Sequence, residues 1–305
     1  MSATSFQNPL TLFLEDMAKQ RVSPHTLKAY RLDLMDFLKH LQGDSSHEDI
    51  QKNLQSLFEA LLGCTSVDLN RYLDYLGRSA PATVQRKLIS LKKFFAWAYK
   101  HQLRRKEPPE FPTRLPKQQQ LAPKWLSKNQ VDALIRKAEQ DHHSLSSRNV
   151  TMIKLMLHTG LRVSELVNLK WDDIVIRRYE GHLTINCGKG NKKRVVPLNS
   201  NIRGELEKYQ EQVKETQKDK PYVFYGTRGK LTTDGVLRMF YKFEKLLPFD
   251  VTPHCLRHTF CKSLLDKGVL MSEIAAMAGH SSLNTTNKYV TPSMENLGNS
   301  VEKIT

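Results

Sequence analysis

The chain has 305 residues, enough for two domains with separate cores, and 39% hydrophobic with 8% aromatic content fits a soluble globular protein. Forty-seven Lys and Arg against 31 Asp and Glu leave a net charge of +16, which argues against an ordinary metabolic enzyme and for a polyanionic partner. No apolar run approaches a bilayer span, no basic leader or cleavage site precedes Glu15 and Asp16, and the four scattered cysteines form no C-x-x-C pair.

These properties lead us to expect a cytoplasmic protein that works on nucleic acid, with no membrane partner. Helices are predicted through the first hundred residues. Phe13 to Met17 carries apolar residues at helical spacing. SPHTLKAYRLDLMDFLKHL opens on Ser23 as cap with Pro24 in the first turn, and Leu27, Tyr30, Leu34, Phe37, Leu38 and Leu41 follow the same period. SVDLNRYLDYL and APATVQRKLISLKKFFAWAYKH continue it. The latter sets Leu88, Leu91, Phe95 and Ala98 on one side and Arg86, Lys87, Lys92, Lys93 and Lys100 beside them. Such a basic face is either a solvated surface or a contact for phosphates.

Five prolines between Pro108 and Pro123 exclude helix or central strand, so an extended linker is expected over residues 107–123. This divides the chain into a helical domain, residues 1–106, and a second domain, residues 124–305. Two basic domains joined by a flexible strap could close around duplex DNA. In the second domain Ser127 and Gln130 form a capping-box pattern, and RNVTMIKLMLHTG ends a helix at Gly160. DIVI, HLTINCGKGNKKRVVPL and YVFY read as β-like pieces, with GKGN as a hairpin turn. Four helical segments follow, beginning at Asn201, Thr233, Thr252 and Met271. The expected fold is mainly α, with a small antiparallel sheet in an α+β second domain.

Several polar residues fall at element ends. Arg162 lies in TGLRVSEL, between two helices. Lys189 is at the tip of the basic hairpin, followed by Lys192, Lys193 and Arg194. His254 and Arg257 lie in the opening turn of HCLRHTF, His280 ends the next helix, and Tyr289 follows in NTTNKYV. His254 and His258, four apart on a helix, have zinc-ligand spacing, but Arg257 between them suits a phosphate oxygen better than a metal, and no third ligand stands at a useful spacing. Arginine forks, a histidine donor and a proton donor suit a phosphodiester passing through a five-coordinate transition state.

These boxes, in this order, resemble those of the tyrosine recombinases of the phage-integrase superfamily. In size and layout the chain is most similar to the Xer-type and transposon-borne members. TGLRVSEL resembles the first arginine box, GKGNKKRVVPL the segment of the hairpin lysine, and TPHCLRHTFCKSLLDKG the His-x-x-Arg box. IAAMAGHSSLNTTNKYV resembles the closing segment with the tyrosine, and SPHTLKAYRLDLMDFLKHL is similar to the N-terminal core-binding, SAM-like domain. The resemblance implies that Tyr289 attacks the scissile phosphate to form a 3′-phosphotyrosyl bond. It implies that Arg162 and Arg257 clamp the phosphate, His280 adds a hydrogen bond, Lys189 protonates the leaving 5′-oxygen and His254 takes the phenolic proton. Glu165 matches an acid that orients the first arginine box. No cofactor or metal is implied, and the expected partners are double-stranded DNA and further copies in a tetramer on paired sites, in which a second recombinase can share. Arg86, Lys87, Lys92, Lys93, Lys192, Lys193 and Arg194 are expected to contact DNA. The chain departs from the family at Ala278, where Leu is usual, and at Val290-Thr291, where Thr-His is common. Two alternatives stay open: relaxation of DNA as by a type IB topoisomerase, and a relative that binds DNA without cutting it.

Overall fold

The structure, a computed structural model, describes residues 8–42, 54–112, 123–141, 145–186, 193–280 and 286. The chain divides into two compact units, residues 1–120 and 121–305. The first is helical: α1 (Pro9–Lys19), α2 (Pro24–Gln42), α3 (Leu54–Gly63), α4 (Ser66–Tyr75) and α5 (Pro81–Lys100). Local chemistry sets the helix starts. Asn8 Oδ1 accepts from the Leu10 amide at 2.9 Å ahead of Pro9, and Ser23 Oγ accepts from the Thr26 amide at 3.2 Å. Thr65 and Asp68 form a capping box at α4. The apolar faces meet in a core centred on Phe13, Phe37, Phe94 and Phe95, each wholly buried. Each such side chain is worth about 1.5–3 kcal/mol removed from water. Phe13 meets Phe94 edge-on with ring centres 5.5 Å apart, as the ring quadrupoles favour.

Three features of this unit add to the expectation. Helix α3, inside the stretch expected to be helical but not delimited there, delivers the buried Phe58 and Leu61 to the core. Arg86 and Lys87, expected on DNA, have carboxylate partners on α2, and Arg86 keeps 48% of its side chain exposed. Arg86 pairs with the buried Asp33, which also accepts from Ser90 Oγ at 2.7 Å. Lys87 pairs with Asp36 at 2.6 Å and leaves 14% of its side chain exposed. Their charges are matched inside the unit because α2 presents two carboxylates one turn apart to adjacent residues of α5. Lys92 and Lys93 on the same helix remain exposed. Third, the unit continues past residue 106. Arg104 donates to the Leu62 and Glu107 carbonyls and, at 2.7 Å, to that of Cys64. Pro109 is buried and Phe111 packs on the core, so the first prolines of the expected linker are anchored.

The second unit runs α6 (Lys128–Glu139), α7 (Ser146–Thr159), α8 (Val163–Leu166), β1 (Ile174–Ile176), β2 (Gly181–Asn186), β3 (Lys193–Pro197), α9 (Ser200–Val213), β4 (Tyr225–Gly226), β5 (Gly229–Lys230), α10 (Thr233–Glu244), α11 (Pro253–Asp266) and α12 (Met271–Ala278). Ser127 and Gln130 close the expected capping box on α6. Helix α7, buried along most of its length, packs against α6, α9 and α11 and forms the centre of the core. It stops at Gly160, whose φ of +62° is open to glycine, and a Cβ there would lie 2.4 Å from the Phe260 ring. That close approach sets α11 against the end of α7.

Strands β1, β2 and β3 form an antiparallel sheet in that order, with Leu183 opposite Val196 and Ile185 opposite Arg194. The hairpin tip, with Lys189 and Lys192, lies outside the described residues. YVFY is not one strand. Val223 and Phe224 are both buried, Tyr222 makes a lone bridge to Lys170, and Tyr225–Gly226 pairs with Gly229–Lys230.

Candidate active site

Three arginines from three elements converge on one helix end. Helix α12 finishes at Gly279, with φ +67°, and its last carbonyls project from the negative end of the helix dipole. Arg194 Nε donates to Met277 O at 2.8 Å, Arg257 Nη2 to Ala278 O at 2.5 Å, and Arg162 Nη2 to Gly279 O at 2.8 Å. Arg257 also donates through Nη1 to the carbonyl of Gly160, the residue that ends α7, at 2.6 Å. Consecutive backbone acceptors thus hold the forks in a fixed array.

Glu165 is the acid within this array. Its Oε2 accepts from the Arg162 amide at 2.8 Å, and its Oε1 from Arg162 Nη1 at 2.9 Å. Arg194 grips the same carboxylate with both terminal nitrogens, at 2.8 and 2.7 Å. Burial pushes the carboxyl up, but the bonds from Arg194 and the Arg162 amide, with both positive charges, overcome it and hold the pKa at about 2. Three cations around one anion leave the cluster positive. Arg162 keeps 38% of its side chain exposed, while Arg257 is buried. Burial and then the charge of Arg162 lower the Arg257 guanidinium to about 10, which leaves it a cation at neutral pH.

Two histidines border the cations. His254, exposed in the first turn of α11, is lowered by partial desolvation and then by Arg257 and Arg162. His280 is lowered to about 4 by burial and then by Arg257, Arg162 and the neighbouring His258 and Arg194. Both are neutral at pH 7. His280 Nδ1 lies 2.9 Å from the buried Thr286 hydroxyl, three residues ahead of Tyr289. His258 stacks near His254, with ring centres 6.2 Å apart, and Cys255 is buried with its Sγ 3.3 Å from Thr252 Oγ1. Among the described residues no cluster of three His, Cys, Asp or Glu could hold a metal ion.

Of the residues singled out in the sequence, Arg162, Glu165, His254, Arg257 and His280 are together in this site. Lys189 and Tyr289 lie outside the described residues, as does Lys192. Lys193 is exposed on β3. Arg194, expected on DNA, has a side chain only 9% exposed, and among the described residues its guanidinium bonds Glu165 and Met277 O. Thr286 was not anticipated at all. Its signal, a hydroxyl six positions after His280, is too common to read unaided.

The Glu165 pairing has a consequence for acid stability. A carboxyl held at about 2, against an ordinary 4.5, contributes about 3 kcal/mol above pH 4.5 and loses it as the pH falls toward 2. Glu165→Gln is expected to lower stability to urea by about that amount at pH 7 and by much less at pH 3. An equal loss at both values would show that the carboxylate charge is not what stabilises the site.

Comparison with known proteins follows the same lines. The model described as Phage integrase family matches residues 124–296, and the one described as Phage integrase, N-terminal SAM-like domain matches residues 10–102. The tyrosine recombinase XerC of Staphylococcus aureus (strain MRSA252) is 32% identical over 297 residues, covering 93% of this chain and 92% of the relative. The tyrosine recombinase XerD of Listeria monocytogenes serovar 1/2a is 30% identical over 285 residues, covering 91% of each. Among solved structures, XerH site-specific recombinase bound to palindromic difH substrate, in a post-cleavage complex, superposes with a TM-score of 0.71 at 21% identity. That alignment covers 94% of this chain and 83% of the other, and it carries the fold. Among the described residues no helix is long and apolar enough to cross a membrane.

Proposed function

The chain belongs to the phage integrase family of tyrosine recombinases, and on that premise we propose how its cationic site cuts and rejoins DNA. Its activity is site-specific DNA recombination. The observation that carries the mechanism is the convergence of Arg162 and Arg257 on the end of α12, beside the neutral His280. Forks already fixed by backbone carbonyls need no reorganisation when charge builds on a phosphate, and this is where electrostatic catalysis draws most of its effect.

In the proposed reaction Arg162 and Arg257 bind the non-bridging oxygens of the scissile phosphate. Thr286 donates to His280 Nδ1, which leaves Nε2–H to donate to the phosphate. The Tyr289 phenol attacks phosphorus, and its proton passes to His254, whose lowered pKa keeps it neutral and able to accept. The bond to the 5′-oxygen breaks, and Lys189 supplies the proton that the departing oxygen needs. One phosphodiester is exchanged for one 3′-phosphotyrosyl ester, so attack by the 5′-hydroxyl of another strand restores DNA without external energy. Lys92, Lys93, Lys192 and Lys193 are proposed to lie along the DNA backbone. Assembly as a tetramer on paired sites provides the second strand.

The test is to incubate the protein with genomic fragments in the presence of a chelator and map where denaturation-resistant adducts form. Adducts at a few defined sites, followed by exchange between two site-bearing duplexes, are expected. Adducts scattered over all fragments with relaxation but no exchange would favour a topoisomerase. No adduct at all would favour a DNA-binding relative.

The role of Lys189 has its own test. A 5′-alkoxide leaves poorly, so Lys189→Ala should slow cleavage on the order of 10²- to 10⁴-fold. Replacing the bridging 5′-oxygen by sulfur gives a leaving group that needs no proton. That substrate should restore most of the rate to Lys189→Ala and not to Arg162→Ala. Equal rescue of both would remove Lys189 from the role of acid.

A further inference from the structure

Arg194 is the last of three consecutive basic residues in the sequence, yet the strand turns it inward. We propose that Arg194 is a positioning residue of the phosphate clamp, holding Glu165, and through it the Arg162 guanidinium, in register with the last turn of α12. This rests on the recombinase reading above, since the reaction it serves is that one.

Among the described residues Arg194 makes three fixed bonds. Its two terminal nitrogens reach both oxygens of Glu165, and Nε reaches Met277 O at 2.8 Å. The same two carboxylate oxygens hold the Arg162 amide and Nη1, and Arg162 Nη2 reaches Gly279 O, two residues past Met277. Arg194 and Arg162 are therefore tied twice, once through one carboxylate and once through one helix end. A planar fork fixes the plane of Glu165, which a single ammonium cannot do.

Packing at the helix end points the same way. A Cβ on Gly279 would lie 2.7 Å from Arg194 Nη1, so the glycine that ends α12 also leaves room for this guanidinium. With 9% of its side chain exposed, Arg194 has little surface to offer DNA, and its effect on the reaction passes through its neighbours.

The test is Arg194→Lys, measured as covalent-adduct formation on a nicked duplex carrying a site mapped with the unaltered protein. Misplacing Arg162 should slow cleavage on the order of 10²-fold, while half-site affinity changes by less than about threefold. In an Arg162→Lys background, where the clamp is already loosened, the same substitution should cost less than about threefold, because both act on one element. Equal slowing in both backgrounds, or slowing that follows only the folded fraction, would overturn the proposal. A crystal structure of Arg194→Lys decides the point without reference to activity. The Arg162 guanidinium is expected to leave Glu165 or Gly279 O, and an unmoved Arg162 would overturn the positioning role. Absence of any adduct with the unaltered protein would count against the recombinase reading, with the crystal structure still deciding the role of Arg194. If Arg194→Lys does not fold, Glu165→Gln is expected to show the same loss of cleavage and the same dependence on Arg162.

Discussion

Arg257→Ala is expected to slow DNA cleavage on the order of 10³-fold while binding to a half-site changes far less. The reason is the position of its charge. Arg257 is buried, still cationic with a pKa of about 10, and held by carbonyls from the ends of two helices. Its attraction to phosphate strengthens as charge accumulates in the transition state, so the loss appears in the rate more than in affinity. The substitution also strips Gly160 O and Ala278 O of their arginine donor, at about 1–3 kcal/mol for each carbonyl left unsatisfied. Single-turnover cleavage and urea unfolding of the same sample separate the two effects. A rate loss no greater than the loss of folded protein would make Arg257 a structural residue only.

Tyr289→Phe is expected to abolish covalent adducts altogether. One oxygen is removed, and no positive charge, so DNA affinity and its salt dependence should persist. For each phosphate neutralised, log affinity falls by roughly 0.9 per unit of log salt, and that slope should match the unaltered protein. A variant that binds and assembles but cuts nothing separates chemistry from recognition. Adducts formed by Tyr289→Phe would place the nucleophile on another residue.

Much of this site was legible because its residues sit at element ends that carry strong local signals. Gly160 ends α7, Thr252 and Pro253 open α11, and Gly279 ends α12, so Arg162, His254, Arg257 and His280 could be placed from sequence. Arg194 could not be placed so simply. In a run of basic residues the outward reading is natural, and only the register of the sheet decides. Leu183 and Ile185 face inward on β2, and antiparallel pairing sets Val196 and Arg194 opposite them. The ion pairs of Arg86 and Lys87 are hidden from the sequence for a related cause. Their partners, Asp33 and Asp36, lie on another helix more than fifty positions away, beyond the reach of any local pattern. Helix α3 carries the helical period of its neighbours, with Phe58 and Leu61 inward. Within the core, packing of apolar stripes followed the sequence closely, while the fate of each charge depended on tertiary pairing.

The decisive measurement is the chemical identity of the linkage. A duplex nicked beside a mapped site should trap the protein on DNA, and digestion with protease and nuclease should leave a peptide spanning Tyr289 that carries a nucleotide. Mass spectrometry should then find the phenol oxygen of Tyr289 esterified to a 3′-phosphate, with a free 5′-hydroxyl on the released strand. A nucleotide on any other residue, a 5′-phosphate linkage, or cleaved DNA with no protein attached would contradict the proposed mechanism at its centre.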